Sequence, residues 1–137
     1  MGIFDKLLGK EVKLNPKSAF ALAVLTVIAA DGQVDEEEFL YLRRLFKSDQ
    51  SALEQAIKVI KNGTSIRDCV PMIAATLDEK QKKVVMANLV DVAMADGVLA
   101  GAEKETLALY LDAFKMRESD IAPIVETIAI KNNTGVF

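Results

Sequence analysis

The sequence contains no histidine and no tryptophan, and it has a single cysteine, Cys69. Without histidine, the chain lacks the usual general base, the imidazole metal ligand and the partner that activates serine or cysteine nucleophiles. One thiol cannot form an intrachain disulfide or a thiol-rich zinc site, and its apolar neighbours predict a buried structural thiol. An enzyme is the least favoured interpretation, since it would depend on a metal-activated water.

Long apolar runs and concentrated positive charge are also missing. The longest predominantly apolar run, residues 19–30, is shorter than the ~20 residues that a membrane-spanning helix needs. The first residues lack the apolar stretch and cleavage site of a secretory signal. The net charge is −3, and the basic residues are interleaved with acidic ones, so no nucleic-acid-binding surface is predicted. We therefore expect a cytoplasmic protein that does not bind nucleic acid.

Apolar residues recur at helical spacing over nearly the whole chain, and residues typical of helix caps separate the apolar stretches. This pattern predicts an all-α fold, a compact bundle of about seven helices in one domain spanning residues 1–137. Residues 1–14 form a short N-terminal segment in this prediction, and the first helix ends at Asp31-Gly32. The predicted N-terminal caps are Asn15, Asp35 with Glu38, Ser51 with Glu54, and Asp78.

An internal repeat lies within this helical pattern. Residues 25–46 align without gaps on residues 90–111 at an offset of 65, and the repeats extend over about 16–62 and 78–131. Both copies contain Ala-Asp-Gly, an elbow between two predicted helices, with a glutamate seven positions after the aspartate. The repeat predicts two helix hairpins related by a pseudo-twofold axis, with the two apolar helices at the centre of the bundle. The matched acidic pairs are Asp31 with Asp96 and Glu38 with Glu103.

The spacing within each elbow is similar to part of an EF-hand calcium loop. If Gly32 takes loop position six, Glu38 takes position twelve, but the first and third ligand positions fall on Val27 and Ala29. A self-contained EF-hand is therefore excluded. Two elbows brought together would offer enough carboxylates for one hard divalent cation, calcium, magnesium or manganese. The predicted ligands are Asp31, Glu38, Asp96 and Glu103, with Asp35 and Asp91 in reserve.

A structural interpretation of the elbows stays open beside the metal site. The Asp-Gly pairs can be helix stops, and the glutamates can accept backbone hydrogen bonds in the first helical turn. In the second copy Ala100 replaces the capping residue Asp35, whereas Asp96 and Glu103 persist. The first interpretation makes the chain a metal-responsive binding or adaptor module, and the second makes it a purely structural protein-protein interaction domain.

The N-terminal segment carries an apolar face. At helical spacing, Ile3, Phe4, Leu7 and Leu8 fall on one side, with Asp5 and Lys6 away from it. A face of seven or eight residues supports only weak, reversible binding to a membrane surface, so packing against the bundle is favoured over a peripheral membrane contact. Contact of this face with a membrane surface or a partner stays open as the alternative.

The stretches "IAADGQVDEEEFLYLRRLF" and "VAMADGVLAGAEKETLALYL", with the opening "MGIFDKLLGK", resemble the TerB family of bacterial tellurite-resistance proteins. The resemblance implies an all-helical cytoplasmic domain in which the two repeats face each other. It also implies a non-enzymatic, accessory role in resistance to tellurite and related stresses, with metal sensing and with other stress-resistance proteins as partners in membrane-associated complexes. The acidic positions that it implies are Asp31, Glu38, Asp96 and Glu103. The departure from symmetry at residues 100–102 predicts a single, lopsided site.

Overall fold

The computed structural model describes residues 13–31, 36–95 and 101–137. Within these ranges the chain forms seven α-helices and two short 3-10 turns, and it contains no strand. The predicted all-α bundle is confirmed, whereas the pseudo-twofold relation between the hairpins stays a prediction. The helices are α1 (Pro16–Ile28), α2 (Glu36–Leu45), α3 (Gln50–Lys61), α4 (Ile66–Thr76), α5 (Glu79–Ala93), α6 (Gly101–Ala113) and α7 (Glu118–Asn132), and the 3-10 turns are Ala29–Asp31 and Thr134–Val136.

Two helices begin at N-caps that the sequence predicts, and the structure shows that both caps are reciprocal. At the start of α1, Asn15 Oδ1 accepts a hydrogen bond from the Ser18 N–H at 2.8 Å, and Ser18 Oγ accepts one from the Asn15 N–H at 2.8 Å. Asp78 and Gln81 form the same arrangement at the start of α5, at 2.8 and 2.9 Å. Each pair satisfies two backbone groups that the first helical turn would otherwise leave without partners.

The predicted cap of α3 was wrong. Asp49, and not Ser51, precedes the helix, and its carboxylate accepts hydrogen bonds from the Ala52 N–H at 3.2 Å and from the Ser51 hydroxyl at 2.8 Å. A carboxylate placed just before the first turn is as good a cap as a serine hydroxyl, and it also interacts favourably with the helix dipole.

The helix ends differ in part from the predictions. The α-helical part of α1 ends at Ile28, and the chain tightens into the 3-10 turn before the first elbow. After α3, Gly63 adopts the left-handed backbone conformation with φ +84°, which is typical of a glycine that ends a helix. Pro123 lies in the second turn of α7. The caps at Gly32, Asp35 and Gly97 lie outside the described residues.

Helix α1 is the centre of the bundle. It contacts α2, α3, α4, α5 and α6, and every residue from Ala21 to Ile28 is buried. A helix that is apolar on all sides can bury its whole surface only at the centre of a bundle. The contact of α1 with α5 agrees with the prediction that the two apolar repeat helices meet. No helix within the described ranges is both long and apolar enough to cross a bilayer.

One polar link crosses the core between α1 and α6. The Thr26 hydroxyl donates to the Ala23 carbonyl at 2.7 Å, so the Tyr110 hydroxyl acts as the donor in the 2.6 Å hydrogen bond between Thr26 and Tyr110. The ring of Tyr110 also meets Phe114 edge to face, with 5.6 Å between centroids. Burial raises the pKa of Tyr110, which keeps its hydroxyl protonated. Both hydroxyls thus have partners inside the apolar core.

Cys69 is fully buried in α4, as predicted for a structural thiol. Its sulfur lies 4.0 Å from the Thr64 carbonyl oxygen, a weak hydrogen bond in which the thiol donates. The side chain belongs to the same core cluster as the buried residues of α1.

Candidate functional site

An open pocket of about 560 Å³ lies where α2, α5, α6 and α7 approach the end of α1. We call it the acidic pocket, because four of the described residues that line it are carboxylic acids. Both repeats contribute to its walls, and α7 closes one side. The described lining residues are Ile28, Glu37, Glu38, Tyr41, Asp91, Val92, Ala95, Glu103, Lys131 and Asn132.

Glu38 and Glu103 both line the acidic pocket, from equivalent positions of their helices. Each is the third residue of its helix, α2 or α6, and each is partly buried. The repeat pairs these two glutamates, and the fold brings both to one pocket although 65 positions separate them in the chain. The first turn of a helix is a favourable place for a carboxylate, because the backbone dipole is positive there. Both glutamates already have an interaction partner, so a bound cation would compete with it.

The first elbow approaches the second repeat directly. The 3-10 turn Ala29–Asp31 contacts α6, the helix that carries Glu103. In the second repeat, Asp96 follows the pocket-lining residue Ala95 directly in the sequence. The side chain of Asp31 is outside what the structure describes, as are Asp35 and Asp96 and the N-terminal residues Ile3, Phe4, Leu7 and Leu8.

Asp91, predicted as a reserve ligand, lines the pocket and forms an ion pair with α7. Its Oδ1 lies 3.6 Å from Lys131 Nζ, and the two side chains are 34% and 62% exposed. Next to this pair, Asn132 Nδ2 donates a hydrogen bond to the Met94 carbonyl at 3.1 Å. The end of α7 is therefore attached to the end of α5 by two polar contacts at the rim of the pocket.

Tyr41 adds a hydroxyl donor to the acidic pocket. Burial raises the pKa of Tyr41, and the negative charge of Asp91 raises it further. The phenol consequently stays protonated at neutral pH and can donate a hydrogen bond. Tyr41 lies three positions after Glu38 on α2, a spacing that puts both side chains on one helical face.

The sequence did not identify four of the polar residues that line the pocket, Glu37, Tyr41, Lys131 and Asn132. Glu37 belongs to an acidic run that predicts a solvated helix start, and Tyr41 could have been found from its helical spacing to Glu38. Lys131 and Asn132 carry no comparable signal, because α7 has no counterpart in the aligned part of the repeat. Their placement depends on the packing of α7 against α5.

The carboxylates of the acidic pocket are suitable ligands for a hard cation, but the described side chains alone do not form a complete metal site. Carboxylate oxygens are the ligands preferred by calcium, magnesium and manganese. Among the side chains that the structure describes, no group of three acidic or thiol residues lies close enough together to hold a metal ion. A complete cation site therefore needs further ligands, and Asp31 and Asp96 are the acidic residues that the two elbows add.

Comparison with known proteins adds one finding. A family model described as tellurite resistance protein TerB matches residues 17–125 of the 137-residue chain. The match includes both elbows and the four described acidic residues that line the pocket. Comparisons with curated proteins and with solved structures gave no match.

Proposed function

The chain belongs to the TerB family, and from this membership and the acidic pocket we propose that it is a non-enzymatic, cation-responsive binding module in tellurite or related stress resistance. One divalent cation, calcium, magnesium or manganese, binds between the two elbows. Its ligands are Asp31, Glu38, Asp96 and Glu103, with Asp91 at the rim. The observation that carries the proposal is that Glu38 and Glu103, equivalent positions of the two repeats, line the same pocket.

The charge of the pocket supports a cation as the ligand. The described lining residues include four carboxylates and one ammonium group, which together carry a formal charge of −3. Like charges in a partly buried space destabilise one another, and a divalent cation relieves this repulsion. Lys131 balances only part of the charge, and it does so from an exposed position.

An adaptor role requires a surface that can respond to the cation. Phe39 and Leu40 follow Glu38 on α2, and they are 41% and 52% exposed. Two large apolar side chains beside a ligand offer a partner protein a contact that changes when α2 shifts. Other stress-resistance proteins are the partners that family membership favours.

Thermal unfolding tests the cation site. The protein is first treated with EDTA and then unfolded with millimolar calcium, magnesium or manganese. At 100 times its Kd, a bound ion adds about 2.7 kcal/mol to the free energy of unfolding, because it binds only the folded chain. We expect this stabilisation from at least one of the three ions, and we expect the double variant Asp31→Asn/Asp96→Asn to lose it while remaining folded.

A second pair of double variants separates the pocket from general charge effects. Glu38→Gln/Glu103→Gln should also lose the stabilisation, whereas Glu54→Gln/Glu126→Gln removes the same charge at exposed positions and should keep it. If none of the three ions raises the melting temperature of the unmodified chain, the cation proposal is contradicted. The elbows are then helix stops and caps, and the chain is a structural interaction domain.

The ion pair at the rim leads to a variant that should bind the cation more tightly, whereas the preceding variants should lose it. Lys131→Ala removes the ammonium group that lies 3.6 Å from Asp91, so the pocket becomes more negative. We expect the cation to bind more tightly, by up to about fivefold, because an exposed ion pair of this kind is worth about 1 kcal/mol at most. Isothermal titration measures the affinity, and a weaker affinity in the variant would place the cation away from Asp91.

A further inference from the structure

The end of α7 separates the acidic pocket from a second concave surface. We call residues 126–132 the C-terminal turns of α7. Between α5 and α7 lies a shallow cleft of about 420 Å³ with mostly apolar walls, which include Ile124 and Ile128. Asp91 and Lys131 line both the cleft and the acidic pocket, so their ion pair marks the boundary between the two. The two helices are therefore not closely packed along the cleft.

Little buried surface holds the C-terminal turns of α7 in place. The helix packs mainly against α5, and of its 15 residues, all of which the structure describes, two are buried. The one nearer its end is Ile128, and beyond it two polar contacts attach the helix to the end of α5. They are the 3.6 Å ion pair between Lys131 and Asp91 and the 3.1 Å hydrogen bond from Asn132 to the Met94 carbonyl. A segment held in this way detaches at a small cost in free energy.

Both polar contacts involve groups that a cation in the acidic pocket affects. A divalent cation attracts the Asp91 carboxylate and repels the Lys131 ammonium group, so it weakens their ion pair. Met94 precedes Asp96, a proposed ligand, by two residues, and its carbonyl accepts the hydrogen bond from Asn132. Because the charged side chains are 34% and 62% exposed, solvent screens these effects. The coupling is accordingly limited to about fivefold in the cation affinity.

We propose, resting on the proposed cation site, that the C-terminal turns of α7 are an autoinhibitory element. Lys131 pairs with Asp91 in the cation-free chain, and a bound divalent cation displaces it and releases these turns from α5. By linkage, release raises the cation affinity by the same factor by which the cation favours release. Release also makes Ile128 and the apolar walls of the cleft accessible to a partner protein. The family match ends at residue 125, so family membership predicts nothing about these turns.

Hydrogen exchange followed by mass spectrometry measures the release in the full-length, unmodified chain. Helical turns without tertiary contacts are marginally stable in water, so the amides of residues 126–132 should exchange faster once they detach. Isothermal titration first identifies which of calcium, magnesium and manganese binds most tightly. At a saturating concentration of that ion, we expect exchange over residues 126–132 to accelerate by up to about fivefold. The amides of residues 122–125, nearer the start of α7, should not accelerate.

A variant of Lys131 tests whether its ammonium group holds the C-terminal turns of α7. Lys131→Gln removes the charge and keeps a side chain of similar length. Without any cation, this variant should already show accelerated exchange over residues 126–132, and adding the ion should accelerate it no further. Lys61→Gln removes the same charge at an exposed position of α3 and should behave like the unmodified chain. Melting curves establish that each variant keeps the folded bundle.

A neutral variant separates release from a simple effect of charge. Asn132→Ala removes the hydrogen bond to the Met94 carbonyl and leaves the charge of the pocket unchanged. If the ion favours the released state, weaker attachment of α7 raises the affinity, and we expect a gain of about twofold or more in isothermal titration. Asn133→Ala makes the same change at the next residue, which is exposed, and should leave the affinity unchanged.

Three outcomes would overturn autoinhibition and leave the cation site standing. The first is an ion that binds in isothermal titration without accelerating exchange over residues 126–132. The second is exchange in cation-free Lys131→Gln that equals exchange in the unmodified chain. The third is an unchanged affinity in Asn132→Ala, which would leave only an effect of charge. If none of the three ions binds to the unmodified chain or to Lys131→Gln, the cation site itself is contradicted, and autoinhibition with it.

Discussion

Replacing Tyr110 by alanine is expected to lower the free energy of unfolding by about 3–5 kcal/mol, the usual cost of deleting a large aromatic side chain from a core. Tyr110 is fully buried within the core cluster, and its hydroxyl joins α6 to the central helix α1. The substitution leaves a cavity beside Phe114 and removes the hydrogen bond to Thr26. Denaturation in urea, followed by circular dichroism, measures the loss.

Two conservative variants divide this loss between packing and hydrogen bonding. Tyr110→Phe keeps the ring, and Thr26 still donates to Ala23, so we expect a cost of about 0.5–1.5 kcal/mol. Thr26→Val leaves the Tyr110 hydroxyl buried without its partner, for which the cost is about 1–3 kcal/mol. If Tyr110→Phe destabilised the chain as much as Tyr110→Ala, the ring would contribute nothing to stability, and the packing argument would be wrong.

Leu22→Ala is the second large effect that we expect, a loss of about 2–5 kcal/mol in the free energy of unfolding. Leu22 is fully buried at the middle of α1, the helix that contacts five other helices of the bundle. Several helices would have to move together to close the cavity, and a tightly packed core resists such movement. The same urea titration measures the change.

Leu40→Ala is the matched control for Leu22. Leu40 is 52% exposed on α2, so the same deletion of carbon atoms removes little buried surface. We expect a change within about 0.5 kcal/mol, as for most surface substitutions. Equal losses at the two positions would mean that α1 is not the centre of the core. Leu40→Ala also tests whether the apolar surface beside the acidic pocket is needed for folding or only for partners.

The fold was predictable from the sequence where local chemistry decides it. The caps at Asn15 and Asp78 followed from residue type and position, because a cap involves only the first turn of its own helix. The cap of α3 was mispredicted because Asp49 and Ser51 both had the right chemistry, and sequence alone does not rank two such neighbours. The end of α1 was placed three residues too late for a similar reason, since an α-helix and a 3-10 turn have nearly the same apolar pattern.

The candidate site was predictable only as far as the repeat extends. The repeat paired Glu38 with Glu103, and both line the acidic pocket. Lys131 and Asn132 reach the same pocket through contacts with Asp91 and Met94, about 40 residues earlier in the chain. Such contacts depend on how α7 packs against α5, and a single sequence carries no pattern that reports them. The ligand roles of Asp31 and Asp96 stay predictions.

The buried thiol in α4 allows other positions of this protein to be labelled selectively through introduced cysteines. Burial, and then the nearby charge of Asp68, raise the pKa of Cys69 from 9.0 to about 11, so its reactive thiolate is scarce at neutral pH as well as shielded. Cysteines introduced on the surface are therefore expected to react with maleimides or spin labels in preference to the native Cys69, which stays in place. Pairs of labels on α2 and α6 can then measure the width of the acidic pocket with and without a cation, in a chain whose core has not been altered.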